Sequence, residues 1–333
     1  MSRTEAPYVR AQSEDEGYNW IHRAFLHALK THNVLTVDEM KTKLAHVMTQ
    51  HNPDRPWTAA DITQPHLTST VQTINTRITP YDYEIRSTRD QETKTLIYAF
   101  VNNASDSLTQ FATTFSASEM GYIRRVLDYM FETNNTKVRE VMAIRHTEAS
   151  QLARVSAATR RSQINNGGGA ASESQDGGIS LAEADAVLTA LVTSSFFQFS
   201  SAGYYALAPR ALIELRAYLK ETYNEGAHEN EEGREVVRIR DCEGCREIVT
   251  VGVRCNNREC GVRWHDACVS SYFRGRKEGA RKCPRCAVEC GGDMFVGERA
   301  DRVGRSGKSG GGGNNRRRSR REVQEEEEDE EDG

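Results

Sequence analysis

Every cysteine of this 333-residue chain, eight in all, lies between positions 242 and 290. Seven of them, with one histidine, form the series Cys242-x2-Cys245-x9-Cys255-x4-Cys260-x4-His265-x2-Cys268-x14-Cys283-x2-Cys286. A Cys-x2-Cys pair lets two thiolates reach one ion across a tight turn, and eight soft or borderline donors suit two closed tetrahedral zinc sites. Two arrangements satisfy the series. Consecutive fours can share an ion, or the fours can interleave as a cross-brace. The cross-brace puts Cys242, Cys245, His265 and Cys268 on one ion, and Cys255, Cys260, Cys283 and Cys286 on the other. It accounts for the folding of so short a segment with few apolar residues, because metal affinity substitutes for a core. With all eight donors used, no coordination position is left open for catalysis, so a catalytic residue is not expected here. Cys290 falls outside the series and reads as a spare thiol.

A disulfide framework is the competing use of clustered cysteine, and it belongs to oxidising compartments. The start of the chain, Met1-Ser2-Arg3-Thr4-Glu5, has no apolar leader segment, so an intracellular protein is expected. The best apolar stretch, Ala186 to Val192, is far short of the roughly twenty residues that cross a bilayer, and no membrane partner is expected.

Charge divides the chain as unevenly as sulfur does. Residues 242–286 carry ten basic and five acidic side chains, whereas residues 1–237 carry 23 basic and 29 acidic. Arg246, Arg254, Arg263 and Arg285 are placed to soften the negative charge of the thiolates. The acidic balance before residue 238 argues against direct phosphate contacts, so any DNA association is expected to be indirect.

Before the cysteines, helical periodicity and capping boxes recur. Asn19–Lys30 carries Ile21, Phe25 and Ala28 at helical spacing, with Trp20 and Leu29 widening the stripe. Thr36-Val37-Asp38-Glu39 is a capping box that opens a helix through Met40, Leu44 and Val47. A shorter helix is expected near Leu67–Thr76, and Tyr83–Ser87 and Thr95–Val101 alternate as strands. The order then repeats. Ser116–Glu119 caps a helix through Met120, Ile123, Leu127 and Met130, a second helix is expected over Thr136–Val155, and Ser180–Glu183 caps a third through Leu181, Ala184, Leu188 and Leu191. Phe197, Phe199, Tyr205 and Leu207 form a hairpin, and Pro209 opens a closing helix through Leu212, Leu215 and Leu219. His22, His27 and His46 lie far from any Cys and read as surface or packed residues.

The expected class is therefore α+β: two tandem winged-helix-like domains, a two-zinc cross-brace finger and a disordered tail. The partition is 1–16 disordered, 17–105 first domain, and 106–236 second domain with a low-complexity insertion at 156–179. The finger follows at 237–290, then a Gly/Arg/Glu-rich tail at 291–333. The Arg316–Arg321 cluster and the acidic run to Asp332 are expected to be solvated, with a nuclear import signal as the alternative reading of the former.

A four-Cys, one-His, three-Cys order resembles both RING ubiquitin-ligase fingers and the PHD fingers that read histone tails. PHD fingers generally carry Trp two residues before the seventh ligand, where this chain has Arg281. RING fingers often place Pro directly after it, here Pro284, and an aromatic four residues after the sixth, here Tyr272 followed by Phe273. The string His265-Asp266-Ala267-Cys268-Val269-Ser270-Ser271-Tyr272-Phe273 and the closing Cys283-Pro284-Arg285-Cys286 are similar to those of the non-structural maintenance of chromosomes element 1 family. The resemblance extends over about residues 17–286. It implies a nuclear RING-type ubiquitin ligase subunit of the SMC complex that acts in DNA repair and recombination. It implies further that a MAGE-type subunit and other subunits of that complex are partners, the MAGE-type one held through the N-terminal region. A ubiquitin-conjugating enzyme would dock on Tyr272 and Pro284. Two positions depart from the RING pattern. Glu243-Gly244 stands where an aliphatic grip is usual, so that Gly244→Ile is expected to raise activity, and Ala287 stands where Arg or Lys often bridges to ubiquitin. A zinc-stabilised scaffold or PHD-like chromatin-binding subunit is the alternative reading.

Overall fold

Asn19 opens the first helix, α1 (Trp20–His32), because its side chain accepts the Ile21 amide at 3.1 Å while His22 Nδ1 accepts the Asn19 amide. In this computed structural model the described residues are 17–103, 114–154, 178–224 and 237–306. The expectations for residues 1–16, for most of the 156–179 insertion and for the charged tail fall outside them.

Contact grouping separates two units: Met1–Leu127 with Arg145–Ile239, and Asp128–Ile144 with Arg240–Gly333. In the first unit, β1 (Val34–Thr36) leads into α2 (Val37–His51), whose first turn is closed by the Thr36–Glu39 capping box. Next come α3 (Gln64–Ile78) and β2 (Tyr83–Arg89), both longer than the periodicity alone suggests, and β3 (Leu96–Asn102), shifted by one residue. The strands form an antiparallel sheet in the order β1-β3-β2. Phe25, Leu29, Met40, Leu44, Leu67 and Ile74 interlock beneath it. Each such fully buried side chain stabilises the unit by about 1.5–3 kcal/mol. Trp20 is not part of that core. It is 46% exposed and stacks on His51.

The same order recurs with α4 (Ala117–Asp128), β4 (Ile144–Arg145), α5 (His146–Gln151), α6 (Leu181–Thr193), β5 (Phe197–Phe199) and β6 (Tyr204–Leu207). The sheet order β4-β6-β5 again sets the first strand beside the third. The α6 cap forms as expected, with the Ser180 amide donating to Glu183 at 2.7 Å, although Leu181 is half-exposed. The closing helix breaks at Leu215 into α7 (Pro209–Glu214) and α8 (Arg216–Asn224). Ile213 of α7 packs on Ala99 and Val101 of β3, joining the two halves of this unit.

Of the helix expected over Thr136–Val155 only α5 (His146–Gln151) forms, and the stretch before it is not helical. Helix α4 ends in a π turn at Tyr129–Thr133, and a short bridge pairs Asn135 with Glu140. Met142 takes the left-handed conformation (φ 47), which no helix interior tolerates. This segment belongs with the cysteine-bearing unit, so that unit does not begin at 237. Nor does it end at 290. In it, β7 (Gly252–Arg254) pairs with β8 (Arg263–Trp264) on one side and with β9 (Phe295–Val296) on the other. Helices α9 (Asp266–Tyr272) and α10 (Glu298–Ser306) complete it. No helix among the described residues is long and apolar enough to cross a membrane.

Candidate metal centre

Two tight turns of the same design carry the paired cysteines. In the first, the Arg246 amide donates to the Cys242 carbonyl at 2.9 Å and the Cys242 amide to the Glu247 carbonyl at 2.8 Å. In the second, the Ala287 amide donates to the Cys283 carbonyl and the Cys283 amide to the Val288 carbonyl. The residue after the second cysteine is left-handed in both, Arg246 at φ 64 and Ala287 at φ 57. This backbone aims both thiols of each turn to one side.

The remaining donors come from the edges of the small sheet. His265 sits at the entry to α9 and Cys268 on its first turn, which brings them to Cys242 and Cys245. Cys255 follows β7 and Cys260 precedes β8, and both face the Cys283–Cys286 turn. The donors therefore gather as Cys242, Cys245, His265, Cys268 and as Cys255, Cys260, Cys283, Cys286, each set within 4.8 Å. That is the interleaved grouping. Cys290 is buried outside both sets.

The spacing suits a tetrahedral ion of zinc's size, for which metal–sulfur bonds of about 2.3 Å place sulfurs about 3.8 Å apart. Cys255 and Cys286 sulfurs are 3.5 Å apart, and those of Cys260 and Cys283 are 3.7 Å apart. His265 Nδ1 lies 3.3 Å from the Cys245 sulfur and 3.9 Å from that of Cys268. Its Nε2 faces the Ile248 carbonyl at 3.1 Å, a bond that holds the proton there and leaves the Nδ1 lone pair for the ion. Burial pushes the Cys255 and Cys260 thiols up, and that of Cys268 up to about 12. Burial acts the same way on Cys242, but hydrogen bonds from the His265 ring and from the Cys245, His265 and Gly244 amides together outweigh it and bring the thiol down to about 6. The Val288 amide lowers Cys286 to about 7. Cys242 and Cys286, one in each set, are thus ready to ionise, while Cys255, Cys260 and Cys268 need a cation to do so.

Glycine sets the packing at two points. A Cβ at Gly252 would lie 2.1 Å from the Trp264 carbonyl oxygen, so only glycine allows β7 and β8 to close. A Cβ at Gly244 would lie 3.1 Å from the Cβ of Cys268. The Gly244→Ile substitution suggested by the sequence would therefore press a branched side chain against a metal-donor residue. Tyr272 is half-buried, packed against Trp264 and Phe273, while Pro284 is exposed.

Sequence reasoning missed Glu140. Its carboxylate lies under the cysteine-bearing sheet, where Arg254 Nη1 donates to it at 2.8 Å and Arg263 Nε at 2.7 Å, with Arg263 Nη2 as a third donor. Arg263 also donates to the carbonyl of Cys260 at 2.7 Å, so the ion pair is one bond from a donor residue. Arg254 and Arg263 are each 2% exposed and do not act as diffuse surface charge. Arg246 is at the surface as expected, pairing with Glu243, and Arg285 is likewise exposed. Two arginines inside apolar strand patterns were the available signal, since buried guanidinium requires an acid.

Comparison with known proteins gives the arrangement a context. The family model described as "Nse1 non-SMC component of SMC5-6 complex" matches residues 22–215, and that of a RING-like domain matches residues 242–286. "Non-structural maintenance of chromosomes element 1 homolog" proteins of Homo sapiens and Bos taurus are 25% and 24% identical over 266 residues, which is 80% of this chain and 82% of theirs. A solved structure titled "Nse1-Nse3-Nse4 complex" superposes with a TM-score of 0.60 at 19% identity, over 82% of this chain and 96% of that one. Likeness at that identity is evidence of fold, while the family match spans more than half of the sequence. With the fold, the RING-like segment and the interleaved donors in agreement, the chain belongs to the Nse1 family of non-SMC components of the SMC5-6 complex.

Proposed function

We propose that this chain is a RING-type ubiquitin ligase subunit of an SMC5-6 complex, serving DNA repair and recombination in the nucleus. The observation that carries the reading is the interleaving of the two four-donor sets, which is the cross-brace of RING fingers. We assign two zinc ions to those sets. Four thiolates, or three with an imidazole, favour zinc over hard cations, and its part is structural: each ion cross-links distant loops. Such a finger performs no covalent step. It would hold the charged conjugating enzyme near Tyr272 and Pro284 and restrict the thioester to reactive poses.

The doubled helix–strand–helix–helix–hairpin order, each sheet with its first strand beside its third, supports the winged-helix-like reading of the first unit. The similar solved complex contains Nse3 and Nse4, which supports a MAGE-type Nse3 subunit as the partner held by this chain. Association with DNA would then pass through the assembly. The test is reconstituted ubiquitin transfer by the metal-loaded chain across a panel of conjugating enzymes, with and without the Nse3-type partner. Transfer that depends on the partner and falls with Tyr272→Ala, zinc content unchanged, supports the ligase.

A second reading has its own observation. A side chain at Gly244 would crowd Cys268, and Ala287 lacks the usual cation. A zinc-stabilised scaffold without transfer activity is the function if no enzyme in the panel responds.

A further inference from the structure

We propose that a groove at the end of α9 seats an extended acidic peptide, and that its occupant is the chain's own run Glu325–Asp332. The groove offers about 260 Å³. Val269, Phe273 and Cys290 form its apolar floor, and Arg274, Arg276 and Arg281 stand around it. Among the described residues none of these arginines has an acidic partner within salt-bridge distance, whereas Arg254 and Arg263 in the same unit both pair with Glu140. The Arg276 guanidinium is held over the Tyr272 and Phe273 rings at 5.7 and 5.9 Å, which fixes the charge at the rim. Arg281 Nε is buried with no hydrogen-bond partner, a donor that lacks an acceptor. A small apolar floor ringed by cations suits a short extended segment that presents carboxylates.

The occupant follows from charge and tether. Residues 269–292 carry six basic and two acidic side chains, and Glu325–Asp332 is eight consecutive carboxylates. Helix α10 is fixed to this unit by Arg299, which donates to Asp266 at 2.9 Å and to the Gly252 carbonyl at 3.2 Å. Eighteen residues, among them Gly310–Gly313, separate Ser306 from Glu325. A chain of that length reaches at most about 60 Å, against roughly 30 Å for the diameter of a unit this size, so the run is within reach of the groove. This inference does not rest on ligase activity.

The experiment is fluorescence anisotropy with a labelled peptide of residues 322–333. It is titrated with the metal-loaded full chain and with the same chain ending at Arg321, which keeps the Arg316–Arg321 cluster and frees the groove. The shortened chain should bind the peptide, and the full chain at least tenfold more weakly because its own run competes. Binding to the shortened chain should fall at least tenfold with Arg274→Glu or Arg281→Gln at unchanged zinc content. Arg274 is exposed, so its reversal decides the matter if Arg281→Gln loses metal. Three results overturn the proposal: no binding by the shortened chain; equal binding by both chains, which leaves the groove to another protein's acidic segment; or binding lost only when Arg316–Arg318 are replaced.

Discussion

A single carboxylate, Glu140, balances two guanidinium groups that are almost wholly removed from water. Burying such charges is costly, and removing one partner leaves the others uncompensated, at about 3–5 kcal/mol. Glu140→Ala should therefore lower stability by that amount, seen as a fall in melting temperature, and should reduce metal retention because Arg263 also ties down the Cys260 carbonyl. Unchanged melting and zinc content in that variant would show the pair to be dispensable. Ala287 makes a smaller, opposite case. Its left-handed backbone is strained for any residue with a Cβ, so Ala287→Gly should stabilise the second turn by up to about 1 kcal/mol. The check is the chelator concentration needed to strip half the metal, which should rise.

At the scale of elements, the caps carry most of the local information. Thr36 and Glu39 satisfy each other's amides at the start of α2, and Thr36→Ala should cost about 1 kcal/mol in thermal or denaturant unfolding. The Thr36 amide, then its hydroxyl, hold the Glu39 carboxyl below its ordinary value. A carboxyl depressed in the folded state contributes stability above its ordinary value and loses it as pH falls through the folded one. Stability should therefore decline on the acid side, and Glu39→Gln should flatten that part of the profile. These caps were readable in the sequence because a capping box spans four residues. The metal donors were readable for the same reason, their spacings being short and chemically restrictive. The stretch after Thr136 was not. Val138, Val141 and Met142 imitate helical spacing, but the partners that hold Glu140 lie 114 and 123 residues downstream, where no local pattern reports them.

At the scale of the molecule, the sequence suggested a finger beginning at 237, whereas the cysteine-bearing unit includes Asp128–Ile144 and continues through α10. Residues 237–306 expressed alone should hold less than two equivalents of zinc per chain and melt broadly. Full retention in elemental analysis would show that the upstream segment is an accessory. Stripping metal from the whole chain separates the units differently. The first unit, built on Phe25, Leu29, Met40 and Leu44, contains no donor from either set, so a strong chelator should leave most of its helical circular dichroism while the second unit unfolds.

The distance in sequence between Glu140 and its arginines has a consequence in time. During synthesis at about 10 residues per second, Glu140 leaves the ribosome roughly ten seconds before Arg254 and Arg263 exist to meet it. For that interval the carboxylate must stay hydrated. The second unit therefore closes last, after its cysteines emerge, and a message cut short before Arg254 yields a chain whose middle carries an acid that can never be neutralised.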